Sequence, residues 1–241
     1  MYWDVHSHVV PSGDDGVGSM EEGLDLCAEA ARRGTAVLFA TPHVGPVYPL
    51  TPERERALRA AHAEMAPAAM ALGLDLRLGF ELTPAEELLE DDLGRYTLGD
   101  LPAVLMELPF RGSLALSELV AEAIEAAGLT PVIGHPERAA TVQEDPERAR
   151  GYAERGWLLQ VNATSLTGRH GPGPEHTGWW LVEEGLAGLV GSDGHRRSRP
   201  PFLDDAYALV RDRAGTATAD ELFGGAALLA RRDGADVAQR R

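Results

Sequence analysis

Seven short apolar runs, each with a polar residue at or next to its end and each followed by a loop or helical stretch, constrain this chain more than any other feature. They are Tyr2 to His6, Thr35 to Thr41, Asp75 to Glu81, Pro102 to Leu108, Thr130 to His135, Trp157 to Asn162 and Leu186 to Ser192. After the first, Ser19 and Glu22 make a capping box for a helix ending before Gly34; Thr51 as N-cap and Pro52 then open a helix to about Leu72. A short helix should open at Pro84, and longer ones should span Ser113 to Ala127 and Pro146 to Arg155. His170 and His176 flank a Gly- and Pro-rich loop, Trp179 and Trp180 begin the helix before the seventh run, and helices near Asp204 to Arg213 and Asp220 to Arg231 precede an Arg-ended tail. Strands alternating with helices pair in parallel, and nearly all-apolar strands are covered on both faces.

The polar residues at the run ends decide between an open sheet and a closed one. They are Asp4-Val5-His6-Ser7-His8, Thr41-Pro42-His43, Gly79-Phe80-Glu81, Met106-Glu107, Gly134-His135-Pro136-Glu137-Arg138 and Ser192-Asp193-Gly194-His195, with Asn162 ending the sixth run. An open doubly wound sheet gathers functional residues at one switch point, whereas a barrel draws them from many strand ends around a ring. The ring pattern predicts an α/β fold, a closed barrel of seven parallel strands, forming a single domain over residues 1–241.

Imidazole and carboxylate are ligands for Mn²⁺, Fe and Zn²⁺. His6 and His8, two apart on an extended segment, point to one side and can chelate one ion. A His-x-His alone could be a surface accident; Asp193-Gly194-His195 on the strand closing next to the first argues otherwise. Glu81 and Glu107 end apolar strands, where a carboxylate is costly unless an ion or an Arg partner neutralises it. Arg138 and Arg199 lie just beyond candidate ligands, and their forked donors fit phosphate oxygens.

Composition removes competitors. The net charge of -16 disfavours a non-specific grip on nucleic acid or an anionic membrane. All 22 basic residues are Arg, which excludes lysine-dependent mechanisms. The one cysteine, Cys27, allows no internal disulfide, and neither a signal peptide nor a membrane-length apolar stretch is evident, so a cytoplasmic protein without membrane insertion is expected. Cys27 and Arg33 match a Cys-x5-Arg thiol-phosphatase spacing, but the residues between them are helix formers with no phosphate-cradling glycine.

Taken in order, Asp4 to His8 with Asp14-Asp15-Gly16, Thr41-Pro42-His43, Glu81, Glu107, His135 to Arg138, Gln160-Val161-Asn162 and Ser192 to His195 resemble the polymerase and histidinol phosphatase (PHP) superfamily. The run is most similar to its bacterial manganese-dependent protein-tyrosine phosphatases of the CpsB/YwqE type, which accompany capsular and exopolysaccharide synthesis, and it spans nearly the whole chain. The resemblance implies a distorted (β/α)7 TIM-like barrel with a trinuclear site, holding two to three ions, Mn²⁺ first with Fe or Zn as alternatives. One ion would take His6, His8, Glu81 and Asp193; a second would share Glu81 and add Glu107 and His135; a third would take Asp15, His43 and His195. It also implies that Arg138 and Arg199 bind phosphate and that the partner is a phosphotyrosine protein, a bacterial tyrosine kinase. The chemistry would be hydrolysis by metal-activated water with no phosphoenzyme, with Asp15 able to assist the leaving group. The competing expectations are a histidinol-phosphate or other small-molecule phosphomonoesterase and a metal-binding module without turnover.

Overall fold

The computed structural model describes residues 1–231. Its strands are β1 (Tyr2–Ser7), β2 (Thr35–Ala40), β3 (His43–Val44), β4 (Asp75–Leu78), β5 (Glu81–Leu82), β6 (Ala103–Glu107), β7 (Thr130–Gly134), β8 (Leu158–Asn162) and β9 (Ala187–Gly191). All pair in parallel, in the orders β1-β2-β4 and β3-β5-β6-β7-β8-β9. Because β3 pairs β5 just as β2 pairs β4, β3 continues β2 and β5 continues β4, which leaves seven staves. The two orders join across the kinks: Gly79 N donates to Ala40 O at 2.9 Å and Glu81 N to Pro42 O at 3.2 Å. The ring closes where Ser7 bridges Gly194 in parallel, Asp193 N donates to His6 O at 2.9 Å and His8 N to Gly194 O at 2.6 Å.

The barrel is distorted at the seam between β4 and β6, which do not pair. Residues 97–99 fill it, with Gly99 N donating to Leu78 O at 2.8 Å and Leu98 N to Ala103 O at 2.9 Å. Side chains alternate along each stave. Val5, Phe39, Leu105, Val132 and Leu189 fill the barrel, while their neighbours Leu38, Val104, Ile133 and Val190 face the helices. The covering helices are α1 (Met20–Arg32), α2 (Pro52–Ala71), α3 (Ala115–Ala126), α4 (Ala140–Glu144), α5 (Glu147–Glu154), α6 (Ala163–Leu166), α7 (Pro172–Glu183), α8 (Asp204–Ala214) and α9 (Thr216–Phe223). Their starts follow the local chemistry: Ser19 and Thr51 cap α1 and α2 by accepting from Glu22 N and Arg54 N.

Several sequence expectations are corrected. The second and third strands are each broken, after Ala40 and after Leu78, rather than running on to Thr41 and Glu81. The helix expected at Pro84 is only a 3-10 turn, Glu86–Leu89. The fifth connection adds α4 ahead of α5. Trp179 and Trp180 do not begin a helix; they lie late in α7, which also contains His176. Pro172 and Pro174 hid this start, yet first-turn N–H groups have no intrahelical acceptor, so proline costs little there. The last expected helix begins earlier, as α9, and stops at Gly224 and Gly225. Gly225 has φ 71° and lies against Trp3, whose ring would stand 2.5 Å from an added Cβ. Helix resumes over 226–231, and the Arg-ended tail lies outside the described residues.

Candidate metal centre

The extended end of β1 turns His6 and His8 to the same side, with their Nε2 atoms 3.4 Å apart. Glu81, at the start of β5, lies between them. Its Oε2 is 3.0 Å from His6 Nε2, 3.2 Å from His8 Nε2 and 3.1 Å from His43 Nδ1, and its Oε1 is 3.0 Å from His135 Nε2. Ligand atoms about 2.1 Å from a shared ion stand roughly 3.0 to 3.4 Å from one another, so this spacing is that of a coordination cage. Three groups have ligand atoms within 4.8 Å of one another: His6, His8 and Glu81; Glu81, Glu107 and His135; and His8, Asp15, His43 and His195. Glu81 is shared by the first two and His8 by the first and third. Glu81 Oε2, His43 Nδ1 and His135 Nδ1 are buried without a hydrogen bond, a costly state that a cation would relieve.

All nine sequence-predicted ligands come together, with two differences in grouping. His8 joins the set of Asp15, His43 and His195. Asp193 stands outside the tight groups, its Oδ1 3.5 Å from His6 Nε2 and 3.8 Å from His8 Nε2. Its oxygens are engaged by Arg138 Nη1 at 2.9 Å, Asn162 Nδ2 at 2.9 Å and Arg199 Nη2 at 3.3 Å. Arg199 also contacts His195, with Nη2 2.8 Å from Nε2. Asp15 is the outermost member, 58% exposed, with Oδ1 3.2 Å from His195 Nε2 and 3.5 Å from His43 Nε2.

Partners behind the cage aim it, and sequence reasoning gave them no role. Gln160 Oε1 lies 2.8 Å from His6 Nδ1, which leaves Nε2 as the lone-pair nitrogen facing Glu81. Asp14 Oδ2 lies 3.3 Å from His8 Nδ1 and accepts from His43 N at 3.0 Å. The Asp193 carbonyl lies 2.9 Å from His195 Nδ1, and Thr83 donates to Glu107 Oε1 at 2.5 Å. The available signal was position alone: Gln160 is polar inside a fully buried strand. His135 and Asp193 adopt left-handed backbone at φ 35° and 52°, strain of a kind that collects at functional sites.

Electrostatics within the cage is divided. Burial pushes the His8 proton affinity down, but Asp14 and Glu81 outweigh it and lift its pKa to about 10. Burial also pushes Glu81 and Asp14 up, and the facing imidazoles win, holding both carboxyls below the usual range. His195 falls to about 4 because burial and the charge of His8 both disfavour its cation. Burial followed by the neighbouring Glu81 raises Glu107. A proton on His8 thus supplies positive charge where a bound cation would.

The cage floors a cleft of about 290 Å³. Phe110, 46% exposed, and Val47, 76% exposed, stand on its walls, and the Arg138 guanidinium lies 4.4 Å over the Phe110 ring. Cys27 is in the core of the α1 side, fully buried, its thiol pushed up to about 12 by burial, so it can supply no thiolate. His170 is half-buried, with ring nitrogens 3.3 Å from Thr164 Oγ1 and 2.9 Å from Ser165 Oγ.

A family described as capsular polysaccharide synthesis, CpsB/CapC, matches residues 2–228. The chain is 29% identical over 230 residues to tyrosine-protein phosphatase CpsB of Streptococcus pneumoniae, covering 91% of this chain and 94% of that one. It is 28% identical over 223 residues to tyrosine-protein phosphatase YwqE of Bacillus subtilis, covering 88% and 85%. Among solved structures, crystal structures of YwqE and CpsB, described as unique metal-dependent tyrosine phosphatases, include a chain that superposes with a TM-score of 0.80 at 27% identity, covering 90% of this chain and 89% of that one.

Proposed function

The chain belongs to the CpsB/CapC family of capsular polysaccharide synthesis, and from that premise we propose that it is a metal-dependent protein-tyrosine phosphatase acting as a single catalytic domain at the mouth of its barrel. The observation that carries this reading is the buried carboxylate oxygen of Glu81, ringed by three imidazole nitrogens at 3.0 to 3.2 Å and free of any hydrogen bond. We assign the metal positions to His6, His8, Asp15, His43, Glu81, Glu107, His135, Asp193 and His195, and Mn²⁺ as the ion, with Fe and Zn²⁺ compatible with the same donors. When bound, such ions supply Lewis acidity and acidify water for attack on phosphorus.

The chain's own groups do the rest. Arg138 and Arg199 converge on Asp193 from the open side of the cleft, where each can donate to the equatorial oxygens of a phosphoryl group. Phe110 fixes the Arg138 plane and offers an apolar wall to an aromatic leaving group. A phenolate with pKa near 10 departs without strong acid assistance, and Asp15, exposed at the rim, is placed to relay a proton. The partner class is a phosphotyrosine protein, and we assign a bacterial tyrosine kinase in the cytoplasm to that role; no described helix is long and apolar enough to cross a membrane. The test compares turnover of a phosphotyrosine peptide with histidinol phosphate on Mn²⁺-reconstituted protein. Preference for the peptide supports the reading, and preference for histidinol phosphate overturns it.

A further inference from the structure

Most arginines of this acidic chain are paired with a carboxylate, and those that are not are informative. Among the described residues, the arginines with no carboxylate within ion-pair distance are Arg54, Arg111, Arg169, Arg196 and Arg231. The first four stand on connections that follow strand ends, the same end of the barrel as the candidate ligands. Arg111 follows Phe110 of the cleft wall, and Arg196 follows His195 and donates to the Asp15 carbonyl at 3.1 Å. Arg54 donates to the Tyr48 carbonyl at 2.7 Å, beside Val47. Against a net charge of -16, these four are guanidiniums that no carboxylate of the described residues neutralises at ion-pair distance, so each can still take an anion.

Beside the rim the surface is concave. A second cleft of about 300 Å³ runs between α6 and the loop that carries Arg199, lined by Arg33, Arg169 and Arg197 with the hydroxyls of Thr164, Thr167 and Ser198. Its one acidic lining residue is Asp205. Arg33 is committed to Asp204 at 2.8 Å and Arg197 to Asp25 at 2.5 Å, whereas Arg169 is exposed and has no such partner among the described residues. Three guanidiniums and three hydroxyls offer donors in excess of the acceptors present. This lining adjoins the first cleft at two points: Ser198 precedes Arg199, and Arg169 precedes His170, which feels the charges of Arg138, Asp193 and Arg199.

We propose that this cleft is a subsite for an anionic group, a carboxylate or a second phosphate, flanking the scissile phosphotyrosine of the same substrate. The inference rests on the phosphatase reading for its substrate and on the lining of the second cleft for its chemistry. Arg169 is its specificity-determining residue, because its guanidinium is the one in the lining not already neutralised. An exposed contact of this kind acts on association and on KM more than on the chemical step, and salt weakens it.

The test uses three phosphotyrosine peptides of one sequence, with Gln, Glu or a second phosphotyrosine at the flanking positions, on the Mn²⁺-loaded wild type, Arg169→Ala and Arg169→Glu. The wild type should favour an anionic flank over Gln by about three- to tenfold in kcat/KM, expressed in KM, with the preference shrinking as salt rises. Arg169→Ala should cut that ratio and Arg169→Glu should abolish or invert it; whichever anionic peptide gains more identifies the source. A wild-type ratio near one, or a ratio unchanged in Arg169→Glu, overturns the subsite. Fluorescence anisotropy with the same peptides reads the flank preference without turnover. Failure of all peptides to be hydrolysed therefore counts against the phosphatase reading, while the binding ratio still decides the subsite.

Discussion

Replacing Gln160 with Leu should weaken metal binding without touching a ligand. Gln160 and His6 are both fully buried, and Gln160 Oε1 at 2.8 Å is the partner of His6 Nδ1. Leucine keeps the volume but leaves the N–H unsatisfied, which costs about 1 to 3 kcal/mol in the fold. It also frees the ring to turn or to carry its proton on Nε2, the atom 3.0 Å from Glu81. Loss of such a supporting partner commonly lowers metal affinity about 10- to 100-fold, equivalent to roughly 1.4 to 2.7 kcal/mol. Gln160 Nε2 also donates to Asn162 Oδ1 at 2.9 Å, and Asn162 in turn to Asp193, so the upper end of that range is expected. Competition with a chromophoric chelator measures the Mn²⁺ affinity, and thermal melting of chelator-stripped protein measures the fold. Gln160→Glu, which keeps an acceptor for His6, should recover much of the affinity. If Gln160→Leu lowers the melting temperature yet binds Mn²⁺ as the wild type does, Gln160 is a packing residue and the account of how His6 is aimed is wrong.

Arg138→Ala should reduce turnover of a phosphotyrosine peptide by about two or more powers of ten while metal content hardly changes, and Arg138→Lys should rescue poorly because a point charge lacks the planar fork; full activity with metals in place would refute the phosphate clamp. Cys27→Ser should leave turnover nearly intact and lower the melting temperature, since it buries a hydroxyl among apolar side chains; an inactive, folded variant would instead favour a thiol mechanism. Metal affinity should rise with pH. The His8 pKa of about 10 means its proton is bound at neutral pH and must leave when an ion enters, so affinity should gain about tenfold per pH unit between pH 6 and 9. Affinity that is flat across that window, measured by titration calorimetry in two buffers, would contradict proton displacement.

The ring of candidate ligands at strand ends was legible because two independent signals agree: period and apolarity place the strands, and His, Asp and Glu mark their ends. The kinks at Thr41-Pro42 and Gly79-Phe80 were not, since they arise from how two staves pair across a break rather than from either segment alone. α7 was hidden because Pro172 and Pro174 read as loop until their place in a first helical turn is known. Asp14 and Gln160 escaped assignment for another reason. Their role is set by contact with His8 and His6, and Gln160 is 154 residues from its partner. The grouping of ligands likewise depends on distances: His8 stands close enough to His195, with ring centroids 3.9 Å apart, to serve two clusters.

The central claim is that these side chains hold metal ions at the barrel mouth. Anomalous diffraction at the manganese edge from crystals grown with Mn²⁺ tests it most directly. Two to three peaks are expected, within bonding distance of Glu81 and His8 and spread between His135 on one side and Asp15 on the other. No peak at Glu81, or ions found only at surface carboxylates, would contradict the account.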